Sequence, residues 1–375
     1  MSRKQRQEAM SGIRSLVVKL GTNVLADDAG RLDLALVQRI ADEVHDLETR
    51  GLRVAVVSSG AIGAGMGDLN LEKRPAALPQ LQACAAIGQA KLMRAFDEAL
   101  KRHGHHAAQV LLTRGDVEDR TRYLNTRNCI HALQGYGAVP IINENDTVSV
   151  DEIRFGDNDI LAAMVANLLR ADLLVLLTTV DGVFRDAGRT ERFDVVEDLQ
   201  EVTGAADRSR SALGTGGMAT KLEAVATVLA AGEMAVIADG RRPNVLADLL
   251  AGESVGTLFL PKAGKMTARQ RWIGLARRPS GKIAVDAGAA KALRARKSLL
   301  ASGITGAEGR FEAGDVVAVV GPEGREIAQG LSNYSATDVA KIKGLKSGEF
   351  ARVLGESASG GYDEVIHADN LVLAD

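Results

Sequence analysis

The sequence predicts an α/β protein built on a mainly parallel sheet and followed by a small β-rich domain, on three observations. Short apolar runs alternate with amphipathic stretches through most of the 375-residue chain. The runs are apolar at nearly every position, so both faces of each strand must be covered, as they are when helices flank a parallel sheet. After Pro261 the texture changes to short strands punctuated by glycine turns.

Taken in order, the strands are Leu16 to Leu20, Arg53 to Ser58, Ala107 to Thr113, Val139 to Asn143, Leu173 to Thr178 and Met234 to Asp239. Each is leucine-rich or β-branched and bounded by glycine or polar residues. Between them, apolar residues recur at helical spacing in Asp33 to Arg50, Leu78 to His103, Asp119 to Gly135, Ile160 to Arg170 and Met218 to Ala231. Ligands of such sheets collect at the carboxyl ends of the strands. There this chain carries Lys19 to Gly21, Ser58-Ser59-Gly60, Asn143-Glu144-Asn145-Asp146 and Thr178-Thr179.

The second texture comprises strands at Lys282 to Asp286, Asp315 to Val320 and Glu326 to Leu331, with helices near Asp286 to Leu293 and Ser335 to Ile342. The expected division is a first domain over 12–262, a basic linker over 263–280, a small domain over 281–359 and a tail over 360–375. From Lys262 to Lys282 there are seven basic residues and no acidic one, a pattern of a linker, a domain interface or a surface that meets an anion.

Composition excludes several classes. With 46 Lys and Arg against 48 Asp and Glu the net charge is -2, which exerts no global pull on nucleic acid or membrane. Aromatic residues make up 3%, too few for stacking platforms, so RNA is not an expected partner. Cys84 and Cys129 are read as buried small hydrophobes, and two cysteines in helical segments fit a reducing cytoplasm. Residues 1–14 lack the apolar core of a signal peptide, and no window approaches the ~20 apolar residues of a membrane span.

Two lysines stand where lysine is physically awkward. Lys19 interrupts the apolar run Leu16-Val17-Val18-Lys19-Leu20-Gly21, where a buried ammonium is costly without an anion. Lys221 follows Gly214-Thr215-Gly216-Gly217-Met218-Ala219-Thr220 in the first turn of a helix, where the macrodipole disfavours a cation by ~0.3–1 kcal/mol. Amides at a helix start, joined by a lysine, form an anion receptor. Two such sites on separate elements suggest a polyphosphate held from both sides. No Gly-x-x-x-x-Gly-Lys-Ser/Thr loop occurs, and Gly60-Ala61-Ile62-Gly63-Ala64-Gly65-Met66-Gly67 does not match the dinucleotide fingerprint. His103, His105 and His106 lack the acidic or cysteine spacing of a metal site, so no protein-held metal is expected.

Five segments in order resemble the amino acid kinase family: Leu16 to Thr22, Ser58 to Ile62, Asn143 to Asp146, Gly156-Asp157-Asn158-Asp159, and Gly214 to Met218 with Lys221. Thr113-Arg114 and Tyr123-Leu124-Asn125 are similar as well. The resemblance covers nearly the whole chain and implies an αβα sandwich with a mainly parallel central sheet, then a β-rich module like the PUA fold. It also implies ATP-dependent phosphorylation of the side-chain carboxylate of L-glutamate in proline synthesis.

By the same resemblance the catalytic residues are Lys19, Lys221 and Asp159, the last orienting both lysines. Ser59, Gly60, Asp146 and Asn158 match substrate-binding positions. The nucleotide positions are Lys19, Gly21, Thr178, Thr179, Thr215, Gly216, Gly217, Met218, Ala219, Thr220 and Lys221. Mg²⁺ is expected to arrive on the phosphates of ATP. Where relatives often have Thr-Asp, this chain has Thr178-Thr179, which leaves a hydroxyl or the backbone in place of a carboxylate contact to the nucleotide. Further implied are feedback inhibition by L-proline, handover of the labile product to a semialdehyde-forming reductase, and a homo-oligomer, dimer or tetramer.

Overall fold

The computed structural model describes residues 3–27, 30–148, 158–186, 189–202, 217–262, 266–271, 273–274, 279–355 and 362–374. It divides into two compact units: 1–117 with 121–265, and 118–120 with 266–375.

The first unit is organised by one eight-stranded sheet. Its strands are β1 (Ser15–Leu20), β2 (Arg53–Ser58), β3 (His106–Leu112), β4 (Ala138–Glu144), β5 (Leu173–Thr178), β6 (Val195–Val196), β7 (Met234–Asp239) and β8 (Thr257–Phe259), in the order β3-β4-β2-β1-β5-β7-β8-β6. The six strands from β3 to β7 in that order run parallel; β8 is antiparallel to β7, and β6 follows β8. Parallel strands need crossovers, and right-handed β-helix-β units supply them.

Side chains of a strand alternate between faces. Leu16, Val18 and Leu20 of β1 enter a core shared with helices α3 (Leu34–Thr49) and α5 (Leu78–Lys101), counting α1 as Arg3–Ser11, α2 as Thr22–Leu25 and α4 as Ala61–Asp68. Alternation sends Val17 and Lys19 to the opposite face. Helix α8 (Asp159–Leu169) packs there on β1 and β5, after α6 (Arg114–Glu118) and α7 (Arg120–Gly135) in the chain. Helix α9 (Met218–Ala230) packs against α8, β5 and β7. The parallel run therefore places the ends of β1, β2, β4, β5 and β7 along one edge, and the starts of α8 and α9 come to the same face.

The glycine-rich segment after β2 is a helix. Gly60 at its N-cap takes φ +93°, a left-handed backbone that glycine adopts without strain. Gly65 and Gly88 let α4 and α5 cross with backbones in contact: a Cβ on Gly88 would lie 1.8 Å from the Ala61 carbonyl oxygen, and one on Gly65 1.9 Å from that of Cys84. These glycines serve helix packing. Cys84 is buried as the sequence suggests, whereas Cys129 is exposed on α7 because the apolar stripe of that helix lies on its other side.

The second unit has a five-stranded sheet, β10-β9-β11-β12-β13, from β9 (Gly281–Val285), β10 (Ile304–Gly309), β11 (Val316–Val320), β12 (Glu326–Leu331) and β13 (Leu371–Leu373). Helices Ala287–Arg294 and Ala336–Ile342 start at Asp286 and Ser335, whose side chains accept from Ala289 N and Asp338 N. Val365, Ile366 and Leu371, in the segment the sequence reads as a tail, join this unit's core, and β13 pairs antiparallel with β12. No helix among the described residues is long and apolar enough to cross a membrane.

Candidate active site

Three buried charges meet at the carboxyl edge of the first sheet. Lys19, next to last in β1, is 2% exposed, and its Nζ lies 2.6 Å from Asp159 Oδ1. Lys221 Nζ, from the first turn of α9, donates to Asp159 Oδ2 at 2.9 Å. Asp159 opens α8 and is fully buried. A carboxylate in a helix's first turn is favoured by the macrodipole, so α8 helps hold an anion that two cations share. One oxygen serves each ammonium, so both are aimed by a single rigid group.

The backbone around these lysines is tight. Gly21 N donates to the Leu177 carbonyl at 3.1 Å. A Cβ added at Gly21 would stand 3.3 Å from that oxygen and 3.9 Å from Lys19 Nζ, so glycine keeps the chain close to the ammonium. At the start of α9, Thr220 Oγ1 donates to the Gly217 carbonyl at 2.8 Å, and Met218, Ala219 and Gly217 flank it. Thr215 and Gly216, like Gly156 and Asp157, lie outside the described residues.

A polar group lies beside this cluster, around the ends of β2 and β4. Asn158, the N-cap of α8, donates from Nδ2 to the Ser58 carbonyl and to Asn143 Oδ1, both at 2.7 Å. Ser59 is 6% exposed, its N–H held by Leu20 O at 3.2 Å, and its Oγ has no hydrogen-bond partner among the described residues. Glu144, the last residue of β4, is also buried, and neither carboxylate oxygen has a hydrogen-bond partner among the described residues. Gly60 follows Ser59 and opens α4.

Asp146 lies two residues past β4. Burial is the main influence on its carboxyl and raises the pKa to about 6, against a smaller opposing effect of the Arg74 charge. Thr178 closes β5 and pairs with Asp239, while Thr179 is exposed. The next carboxylate along, Asp181, pairs with Arg192 and accepts from Gly256 N at 3.0 Å.

The structure therefore brings Lys19, Asp159 and Lys221 into direct contact, and Asn158 into contact with Asn143 and Ser58. Sequence reasoning passed over Gln89, whose Oε1 accepts from Asn143 Nδ2 at 2.8 Å. It lies on α5, 54 residues away in the chain, with no local motif to mark it. His45 was also unmarked: it stacks on His103 with ring centroids 4.2 Å apart, and its Nδ1 is 3.0 Å from His105 Nε2. Among the described residues, no group of three or more His, Cys, Asp or Glu is placed to hold a metal ion.

The amino acid kinase family model matches residues 14–239, and that of the PUA domain matches residues 281–354. The chain belongs to the amino acid kinase family. It is a kinase, and curated relatives along its whole length are glutamate 5-kinases. That of Caldanaerobacter subterraneus subsp. tengcongensis is 47% identical over 367 residues, 96% of this chain and 97% of its own. That of Carboxydothermus hydrogenoformans is 48% identical over 376 residues, covering 98% and 100%. Among solved structures, a carbamate kinase from Giardia lamblia bound to AMP-PNP is 18% identical with a TM-score of 0.49, covering 67% of this chain and all of that one.

Proposed function

We propose that this chain transfers the γ-phosphoryl group of ATP to the side-chain carboxylate of L-glutamate, the first step of proline synthesis, in the cytoplasm. The observation that carries the reading is the pair of buried ammoniums held on one carboxylate, at 2.6 and 2.9 Å, beside a polar pocket edge formed by Ser59, Asn143 and Asn158. Phosphoryl transfer asks a protein for position and for positive charge around oxygens whose charge spreads in the transition state. Lys19 and Lys221 supply donors from a strand and a helix, so they approach the transferring group from different sides. Asp159 fixes their direction. With no side chain at Gly21, phosphate oxygens can come close to Lys19. Mg²⁺ bound to the ATP phosphates would neutralise part of their charge; the two ammoniums here suit that anion.

On the acceptor side, Asp146 and Asn158 receive the α-ammonium, and Ser59 supplies a hydroxyl. One carboxylate oxygen of glutamate attacks phosphorus, a P–O bond forms, and the bond to the β-phosphate oxygen breaks to release ADP. The product is a mixed anhydride, prone to attack by its own amine, so a reductase that takes it up promptly fits the chemistry. In the assay, protein with MgATP and hydroxylamine yields the hydroxamate of L-glutamate. A clear preference for acetylglutamate or aspartate overturns the assignment.

Asp146 gives this reading a pH signature. With its pKa at about 6 in the free protein, it is neutral below that pH and cannot pair with an ammonium. kcat/KM for glutamate is therefore expected to fall about tenfold per pH unit below about 6 and to level off above it. In kcat the step moves to lower pH, because the bound ammonium favours the ionised acid. For stability the sign is opposite: the folded state holds this proton more tightly than the unfolded chain, so stability contributed at low pH is lost as pH rises from about 4 to about 6. Asp146→Asn is expected to remove the step in kcat/KM and raise KM for glutamate; a variant with an unchanged profile refutes the role.

A further inference from the structure

The polar group beside the lysines is a chain of amides whose direction can be deduced. An amide side chain can be turned either way, but a backbone carbonyl only accepts and a backbone N–H only donates. Ser58 O therefore requires that Asn158 face it with Nδ2. Glu144 N–H, 2.9 Å from Asn143, requires Oδ1 there. Asn143 Oδ1 then also accepts from Asn158, and Asn143 Nδ2 is left to face Gln89, which must answer with Oε1 at 2.8 Å. The two ends are anchored in β2 and β4, and every amide between them has one allowed sense.

Both hydrogens of the Asn158 Nδ2 group are consumed in this chain. What remains on its side chain is Oδ1, an acceptor with no proton to give. Such a group can receive an ammonium and cannot donate to a carboxylate. Asn143 is 2% exposed and Ser58 fully buried, so water does not compete for the inner links.

We infer that Gln89 is a positioning residue for the acceptor amino acid: by holding Asn143, it fixes Asn158 so that its carbonyl oxygen meets the substrate's α-ammonium. This rests on the glutamate reading above. Gln89 itself touches no substrate. It is delivered to Asn143 by the residue before it, Gly88, which admits α4 against α5; its Nε2 is buried with no hydrogen-bond partner among the described residues, so the side chain is held through Oε1. Without that acceptor, Asn143 Nδ2 has nothing to face. The backbone anchors still set the sense of both amides, but a buried donor left without its acceptor draws Asn143 out of place, and Asn158, which Asn143 holds at 2.7 Å, then no longer brings its carbonyl oxygen squarely to the ammonium.

The test compares Gln89→Met, of similar volume without the acceptor, with Gln89→Glu, which keeps an oxygen for Asn143. Gln89→Met is expected to raise KM for L-glutamate about tenfold, as for loss of one oriented hydrogen bond to a charged group. KM for ATP and kcat stay within about twofold, and so does the inhibition constant of glutarate, a dicarboxylate with no amino group. Gln89→Glu stays within about threefold of the parent for glutamate. An unchanged glutamate KM in Gln89→Met, or a rise matched by glutarate, overturns the inference; the second outcome marks mere loosening of α5. If Gln89→Met does not fold, a tenfold rise in Gln89→Glu alone also overturns it. A parent protein that makes no glutamyl hydroxamate fails the functional reading first, and the inference falls with it.

Discussion

Alanine in place of Lys19 or Lys221 is expected to lower kcat by about 10²–10³, with KM for glutamate changed far less. The expectation follows from how the ammoniums are held. Each sits on its own oxygen of Asp159, at 2.6 and 2.9 Å, and neither is more than 7% exposed. Groups so fixed need no reorganisation when charge moves onto phosphoryl oxygens, and their effect is undiluted by solvent. A purely structural role predicts something else: an alanine variant would unfold more easily while turning over normally once folded. Steady-state hydroxamate assays on both variants, run beside denaturant unfolding, separate the two. Near-parental kcat in both would remove the lysines from the chemistry.

Much of this site can be read in the sequence because its residues break local rules. A lysine inside Leu16 to Leu20 contradicts the burial of its neighbours, and one in the first turn of α9 contradicts the helix dipole. The strands β2, β5 and β7 end where the sequence places them, since apolar runs there stop at polar residues. What was illegible depends on distant partners. Gly60 to Gly67 matches no fingerprint in the sequence, and glycine disfavours helix by ~1 kcal/mol; only the crossing with α5 shows why Gly65 is needed, since a Cβ there would stand 1.9 Å from the Cys84 carbonyl oxygen. β8, three residues long, pairs antiparallel with β7 and parallel with Val195–Val196, a placement set by those distant edges that no local pattern encodes. Gln89 looks like any polar position of an amphipathic helix until Asn143 is brought to it.

Asparagine at position 159 is expected to cost about 3–5 kcal/mol of folding stability, as when one partner of a buried ion pair is removed. Lys19 and Lys221 are 2% and 7% exposed, so losing the carboxylate they share leaves two neighbouring ammoniums to repel each other in a medium that solvates them poorly. The proposal that this site holds a polyphosphate adds two consequences. First, Asp159→Asn combined with Lys19→Met should recover part of the loss, because one buried cation goes with the acid; the two changes are in contact and must not add. Second, ATP should raise the unfolding temperature of Asp159→Asn by more than that of the parent, since an anion that binds only the folded state replaces some of the missing charge. Urea titrations of the three variants and thermal unfolding with and without ATP give both readings. A single variant within about 1 kcal/mol of the parent, or strict additivity in the double variant, would mean that Asp159 does not hold the two lysines in the folded protein. Equal stabilisation of parent and Asp159→Asn by ATP would place the phosphates elsewhere.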